Sequence, residues 1–201
     1  MTPEEARVLR LGAVPGTTPG RWIDIWKRRM PHVDLELVPL PFAAQHAPLA
    51  EGTVDLALVR DPFPRDGMHA IPLYEEVPVV IAPIDSHLLA ADELEPGDLA
   101  GEVLLRTRED VLGPLELPAT PASIPALATV ADAVETVAAG VGILVAPMSL
   151  ARLHHRKDVG HRPLRSGPAS AVLLAWPSDR TTPDVEAFIG IVRGRTENSS
   201  R

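Results

Sequence analysis

The sequence predicts an α/β fold built on parallel strands, and three observations predict it. Short apolar runs recur at 8–14, 33–40 and 55–59, segments with helical spacing lie between them, and proline or glycine punctuates the joints. The resulting order, β-α-β-α-β, implies parallel strands joined by right-handed crossovers. Ligands of such sheets lie outside the carboxyl ends of the strands, which here puts residues 15–18 and Arg60-Asp61 at the rim of a site.

Each element follows from local chemistry. The run 8–14 (VLRLGAV) is apolar enough for a buried strand and is closed by Pro15-Gly16. Thr17-Thr18-Pro19 opens a helix, with Thr18 as the expected N-cap and Pro19 at the first helical position. Trp22, Ile25, Trp26 and Met30 share one face of it, and Pro31 stops it. In 33–40, Val33, Leu35 and Leu37 alternate with Asp34 and Glu36, as in a strand. A weaker helix is expected over 42–51, interrupted by Pro48 and ended by Gly52, before the strand DLALV at 55–59.

Two more apolar strands follow at 70–73 and 77–82, then a turn and short strand within 99–105. The stretch 106–125 contains Pro114, Pro118, Pro121 and Pro125 and reads as a loop with at most one short helix. Residues 129–140 (TVADAVETVAAG) are the clearest helix: Thr129 and Asp132 have capping-box spacing, and Gly140 suits the C-terminal cap. A buried strand at 141–146, a helix starting at Pro147, a strand at 171–176 and a closing helix capped by Thr182-Pro183-Asp184 complete the order.

Composition narrows the function. The 201 residues, 45% apolar and 23% charged, suit one large domain or two lobes. No apolar run reaches the length of a membrane span, and the first residues lack a signal-peptide core, so the expected location is the cytoplasm. The absence of cysteine excludes disulfides, zinc ribbons and thiol catalysis. A net charge of −8 gives no general attraction to nucleic acid, and Lys27-Arg28-Arg29 reads as a helix end complementing the macrodipole. His154, His155 and His161 lack a carboxylate set to complete a metal site. Ser149 lacks a nucleophile-elbow context, and no phosphate-binding glycine loop is present. No metal, cofactor or catalytic residue is therefore assigned.

Eight segments in order carry a resemblance: LRLGAV, VDLELV, LAEGTVDLALVR, IPLYEEVPVVIAP, DSHLLA, DLAGEVLL, VADAVETVAAGVGILVAP and PDVEAFIGIVR. Together they cover about residues 8 to 195 and resemble the effector-binding domain of LysR-type transcriptional regulators. The resemblance implies a two-lobed, periplasmic-binding-protein-like (type 2) fold, each lobe a mostly parallel sheet flanked by helices, joined by two crossover strands. Lobe one is expected at 8–77 with 176–195, lobe two at 80–172, and flexible termini at 1–7 and 196–201. A winged helix-turn-helix needs far more chain than the seven residues before the first strand, so no DNA-binding domain and no direct nucleic-acid binding are expected here.

The resemblance also implies where an effector is held: Thr17 and Thr18 at the first helix start, Arg60 after the third strand, and Thr129 with Val130 at a lobe-two helix start. Arg106 and Thr107, after a lobe-two strand, join them as rim residues. Helix starts offer unpaired N–H groups and a partial positive charge, which suits a carboxylate. The plainer alternatives are that the threonines only cap helices and that Arg60 pairs with Asp61 or Asp55. The expected function is thus a non-enzymatic sensor of a small anionic, carboxylate-like metabolite. It would act in transcriptional regulation as a homodimer or as partner of a full-length regulator. The alternatives are a protein-interaction module that no longer binds ligand, or an enzyme or solute-binding protein on the same fold.

Overall fold

A computed structural model describes residues 7–109 and 111–194. The termini expected to be flexible thus lie outside the described residues, apart from Arg7 at the start of the first strand. The elements in chain order are β1 (Arg7–Ala13), α1 (Gly20–Arg29), β2 (Val33–Pro39), α2 (Ala47–Glu51), β3 (Leu56–Arg60), β4 (Met68–Glu76) and β5 (Pro78–Pro83). After them come β6 (Val103–Leu104), β7 (Thr120–Pro121), α3 (Val130–Ala138), β8 (Leu144–Pro147), α4 (Met148–Leu153), β9 (Val159–Pro163), β10 (Ser170–Pro177) and α5 (Pro183–Val192). The chain divides into two compact units. The first is the chain up to Leu73 and from Val172 onward, and the second is Tyr74–Ala171.

The first unit carries a sheet of order β2-β1-β3-β10-β4. β1 runs parallel to both neighbours, Leu9 opposite Leu35 on one side and Leu11 opposite Leu56 on the other. β10 enters antiparallel to β3. All five residues of β3 are buried, as a strand covered on both faces requires. Leu9, Leu11, Leu56, Leu58 and Leu174 form one core with Trp26 of α1 and Phe188 of α5. The helix expected over 42–51 is instead a 3₁₀ turn at Phe42–Ala44 followed by α2. The break has a simple cause. Pro48 falls in the first turn of α2, where its missing N–H costs nothing, and not in the middle of a longer helix.

The second unit departs from a mostly parallel sheet. Its three-stranded sheet has the order β8-β5-β9, and β5 is antiparallel to both partners. β8 and β9, joined through α4, run in the same direction with β5 between them. Parallel pairing survives between β6 and β7 and at the Leu104–Ile143 bridge. Gly142 allows that close approach, since a Cβ there would strike the Val103 carbonyl. Sequence reading missed β9, whose VGHRP holds one apolar residue, a glycine and a proline. It is secured from outside: the Arg162 guanidinium donates to the carbonyls of Leu89 (2.6 Å) and Ala91 (2.5 Å).

Candidate functional site

In the first unit the expected site residues gather at the carboxyl ends of β1 and β3. The Val14 N–H donates to the Leu58 carbonyl (3.1 Å), tying the two strand ends together. Thr17 closes the turn after β1, its Oγ1 donating to the Val14 carbonyl at 2.7 Å. Thr18 is exposed beside it. The expected Thr18 cap is absent: Pro19 occupies the cap position with near-helical angles (φ −76°, ψ −3°), and no side chain caps α1. Nor is there an acidic residue in the first turn of α1. The Trp22 and Ile23 N–H groups donate to the Pro19 carbonyl, which leaves those of Gly20 and Arg21 for another partner.

Arg60 ends β3 and is completely buried. Neither expected carboxylate is directed to it in the described contacts. Asp61 pairs with Arg65 (3.0 Å), and Asp55 accepts the Arg10 backbone N–H (2.7 Å). The residue that sequence reading overlooked is Gln45, itself buried. Its Oε1 accepts the Arg60 N–H (2.9 Å) while its Nε2 donates to the Arg60 carbonyl (2.8 Å). A loop glutamine thereby takes the place of a neighbouring strand at the end of β3.

In the second unit Thr129 caps α3 as its spacing predicts. The Asp132 N–H donates to Thr129 Oγ1 (3.1 Å), and the Thr129 N–H donates to Asp132 Oδ2 (3.0 Å). A second carboxylate is already seated there, because the Val130 N–H donates to Glu109 Oε2 at 3.2 Å. The anion place expected at Thr129 and Val130 is therefore filled by the protein's own acids. Arg106 and Thr107 line a pocket of about 310 Å³, together with Leu105, Pro114, Leu144 and Val145 among others. The pocket lies wholly within this unit, partly beneath the proline-rich stretch.

The histidines lead elsewhere. Among the described residues no group of acids and histidines is arranged to hold a metal ion. Partial burial, then the charges of Arg152, Arg162 and His155, hold the His161 imidazole below the usual histidine range. With the folded value below the unfolded one, the unfolded chain binds more protons as pH falls below about 6.5, and stability declines. Urea melts at pH 7.5 and 5.5 are expected to show that decline, and His161→Gln to reduce it. An unchanged slope in the variant would assign the acid sensitivity to other groups. Among the described residues no helix is long and apolar enough to cross a membrane.

Comparison with known proteins agrees with this architecture. Residues 3–197 match the LysR substrate binding domain. The chain is 24% identical over 205 residues to the Hca operon transcriptional activator HcaR of Escherichia coli K12, covering 96% of this chain and 69% of that protein. It is 31% identical over 183 residues to the HTH-type transcriptional regulator MetR of the same organism, covering 85% and 56% respectively. The chain thus spans little more than half of MetR's length. Among solved structures it resembles the effector-binding domain of BenM with its effector benzoate: TM-score 0.76, 20% identity, 95% of each chain covered. It also resembles the reduced regulatory domain of OxyR from Pseudomonas aeruginosa: TM-score 0.72, 22% identity, 94% and 96% covered. At such identities these likenesses show the fold, that of periplasmic-binding-protein-like effector domains. With the family match running over nearly every residue, the chain belongs to the LysR substrate-binding domain family.

Proposed function

We propose that this chain is the sensing part of a transcriptional regulator, acting in the cytoplasm without catalysis, and that it takes a small anionic metabolite. The observation that carries the reading is the contrast between two helix starts. α3 is filled by Thr129, Asp132 and Glu109, whereas α1 begins with no side-chain cap and no acid beside the Thr17-Thr18 turn. An incoming carboxylate at α1 gains N–H donors and the positive end of the helix dipole, and at α3 it meets two carboxylates. Thr17 and Thr18 are the contacts at α1 in this reading, with Arg60 a buried post behind the β3 end; Arg106 and Thr107 offer a separate seat within the second unit. Thr129 and Val130 serve the fold of α3. The benzoate complex of BenM, a structural neighbour, supports a small organic acid as ligand.

A thermal-shift screen against carboxylates, amino acids and aromatic acids tests this. A ligand at 100 times its Kd adds about 2.7 kcal/mol, a readable rise in Tm for a chain of this length. A chain that no small molecule stabilises would contradict the sensor reading. Regulation in this reading works through self-association, as a homodimer or with a full-length regulator. Light scattering on the screened sample decides that part, a strict monomer at high concentration counting against it.

A further inference from the structure

The segment 103–108 changes partner along its length. At its start the Ile143 N–H donates to the Val103 carbonyl (2.8 Å) and the Leu105 N–H to the Ile143 carbonyl (2.9 Å). On its other edge the Ala122 N–H donates to the Leu104 carbonyl (3.0 Å), and further on Leu127 takes over, its N–H donating to the Arg106 carbonyl (2.9 Å) and its carbonyl accepting from the Arg108 N–H (2.8 Å). Beyond Leu105 the edge that faced Ile143 makes no further backbone bond to β8 among the described residues, and the gap between them is the pocket lined by Leu104 to Thr107 and by Leu144 and Val145. Pro114 and Leu115 line it from the proline-rich stretch, which contributes no helix there.

Its chemistry is lopsided. Leu104, Leu105, Leu144 and Val145 are each at most 7% exposed, yet they face open space and lack packing partners on that side. An apolar surface of this kind is filled better by a hydrocarbon body than by water. One cation stands among the lining residues, the exposed Arg106, and among the described residues no carboxylate is paired with it. Other arginines of the second unit are engaged: Arg156 is held by Asp158 and Arg165 by Glu93. The volume of about 310 Å³ is at the lower end for ligand pockets, so the occupant is compact. A second anionic group finds no seat at α3, because Glu109 is already there.

We infer that this pocket binds a monocarboxylic acid with a compact aromatic or branched aliphatic body, the body against Leu104, Leu144 and Val145 and the carboxylate at Arg106. The inference rests on the effector reading above and narrows it to one ligand class seated in the second unit. Calorimetric and NMR titration of the full chain with phenylacetate, 3-methylbutanoate, neutral phenylacetamide and succinate tests it. Either monoacid should bind at least about tenfold more tightly than the amide or the diacid, since a charge-assisted pair is worth that much. Arg106→Gln should erase the preference for acid over amide. Ala126→Trp, which fills the pocket from an exposed position, should abolish binding of both. Unchanged unfolding curves for both variants exclude a folding defect, and a variant that unfolds early is replaced by Arg106→Met or Ala126→Phe. Monoacid binding that survives Ala126→Trp, or that shifts only Thr17 and Thr18 resonances, overturns the pocket and leaves the effector reading standing. Stabilisation by other small molecules with no monoacid binding does the same. Failure of every compound in the thermal screen removes both readings.

Discussion

Replacing Trp26 with alanine is expected to cost about 3 to 5 kcal/mol of stability, the usual range for deleting a large aromatic from a core. The indole is fully buried, and its ring centre lies 5.9 Å from that of Phe188 at an interplanar angle of 53°. Its Nε1–H also donates to the Val33 carbonyl at 3.0 Å, so α1 is fastened both to α5 and to the start of β2. Trp22, Ile23, Ile25 and Met30 pack beside it against the same core, but Trp26 alone of the helix is fully buried. The helix is ten residues long and uncapped at its start, too short to persist on intrinsic propensity, so tertiary packing must supply its stability. Trp26→Phe should keep most of the ring contact but leave the buried Val33 carbonyl short of a donor, a loss of about 1 to 2 kcal/mol. Urea unfolding followed by far-UV dichroism measures both. An alanine variant within about 1 kcal/mol of the parent, where surface substitutions fall, would mean that α1 is not docked through this residue.

Trp26 was legible in advance because the spacing of Trp22, Ile25, Trp26 and Met30 marks one helix face. The β1, β2 and β3 strands were legible for a similar reason: buried or alternating apolar runs bear on their secondary structure directly. The Thr129–Asp132 box was legible because both partners lie within one turn. What escaped depends on contacts made at long range. β9 has a poor strand sequence and is secured by Arg162, which reaches carbonyls more than 70 residues away in the chain. Glu109 sits on the Val130 N–H across 21 residues of chain, and no local pattern marks it out from other surface glutamates. Thr18 failed as a cap for a local reason: the helix starts one residue later than expected, the Pro19 carbonyl accepting from Trp22 and Ile23, so a proline with no side-chain acceptor holds the cap position. The pocket in the second unit depends on where 103–108 changes partner, which periodicity does not report.

Gln45 was equally invisible, being a single polar residue in a loop, and its removal should have the second large effect. Gln45→Met keeps the length of the side chain and strips both of its hydrogen bonds to Arg60, leaving a buried N–H and a buried carbonyl unpaired. Each such group costs about 1 to 3 kcal/mol, so the variant should lose about 4 kcal/mol. A simple change of packing volume would be milder, because a glutamine-to-methionine exchange nearly conserves volume. Hydrogen exchange separates the two explanations. If the amide clamp is what matters, the Arg60 amide should exchange faster by more than the fall in global stability accounts for, while core amides of β1 follow the global change. Equal acceleration at every site would reduce Gln45 to an ordinary packing residue. The consequence reaches the candidate site, because the end of β3 is bonded through Leu58 to the first residue after β1, from which the Thr17-Thr18 turn departs. A loosened β3 end frees that turn as well, so Gln45→Met should weaken any ligand held at Thr17 and Thr18 without touching it. A ligand seated in the second unit at Arg106 would keep its affinity in the same variant.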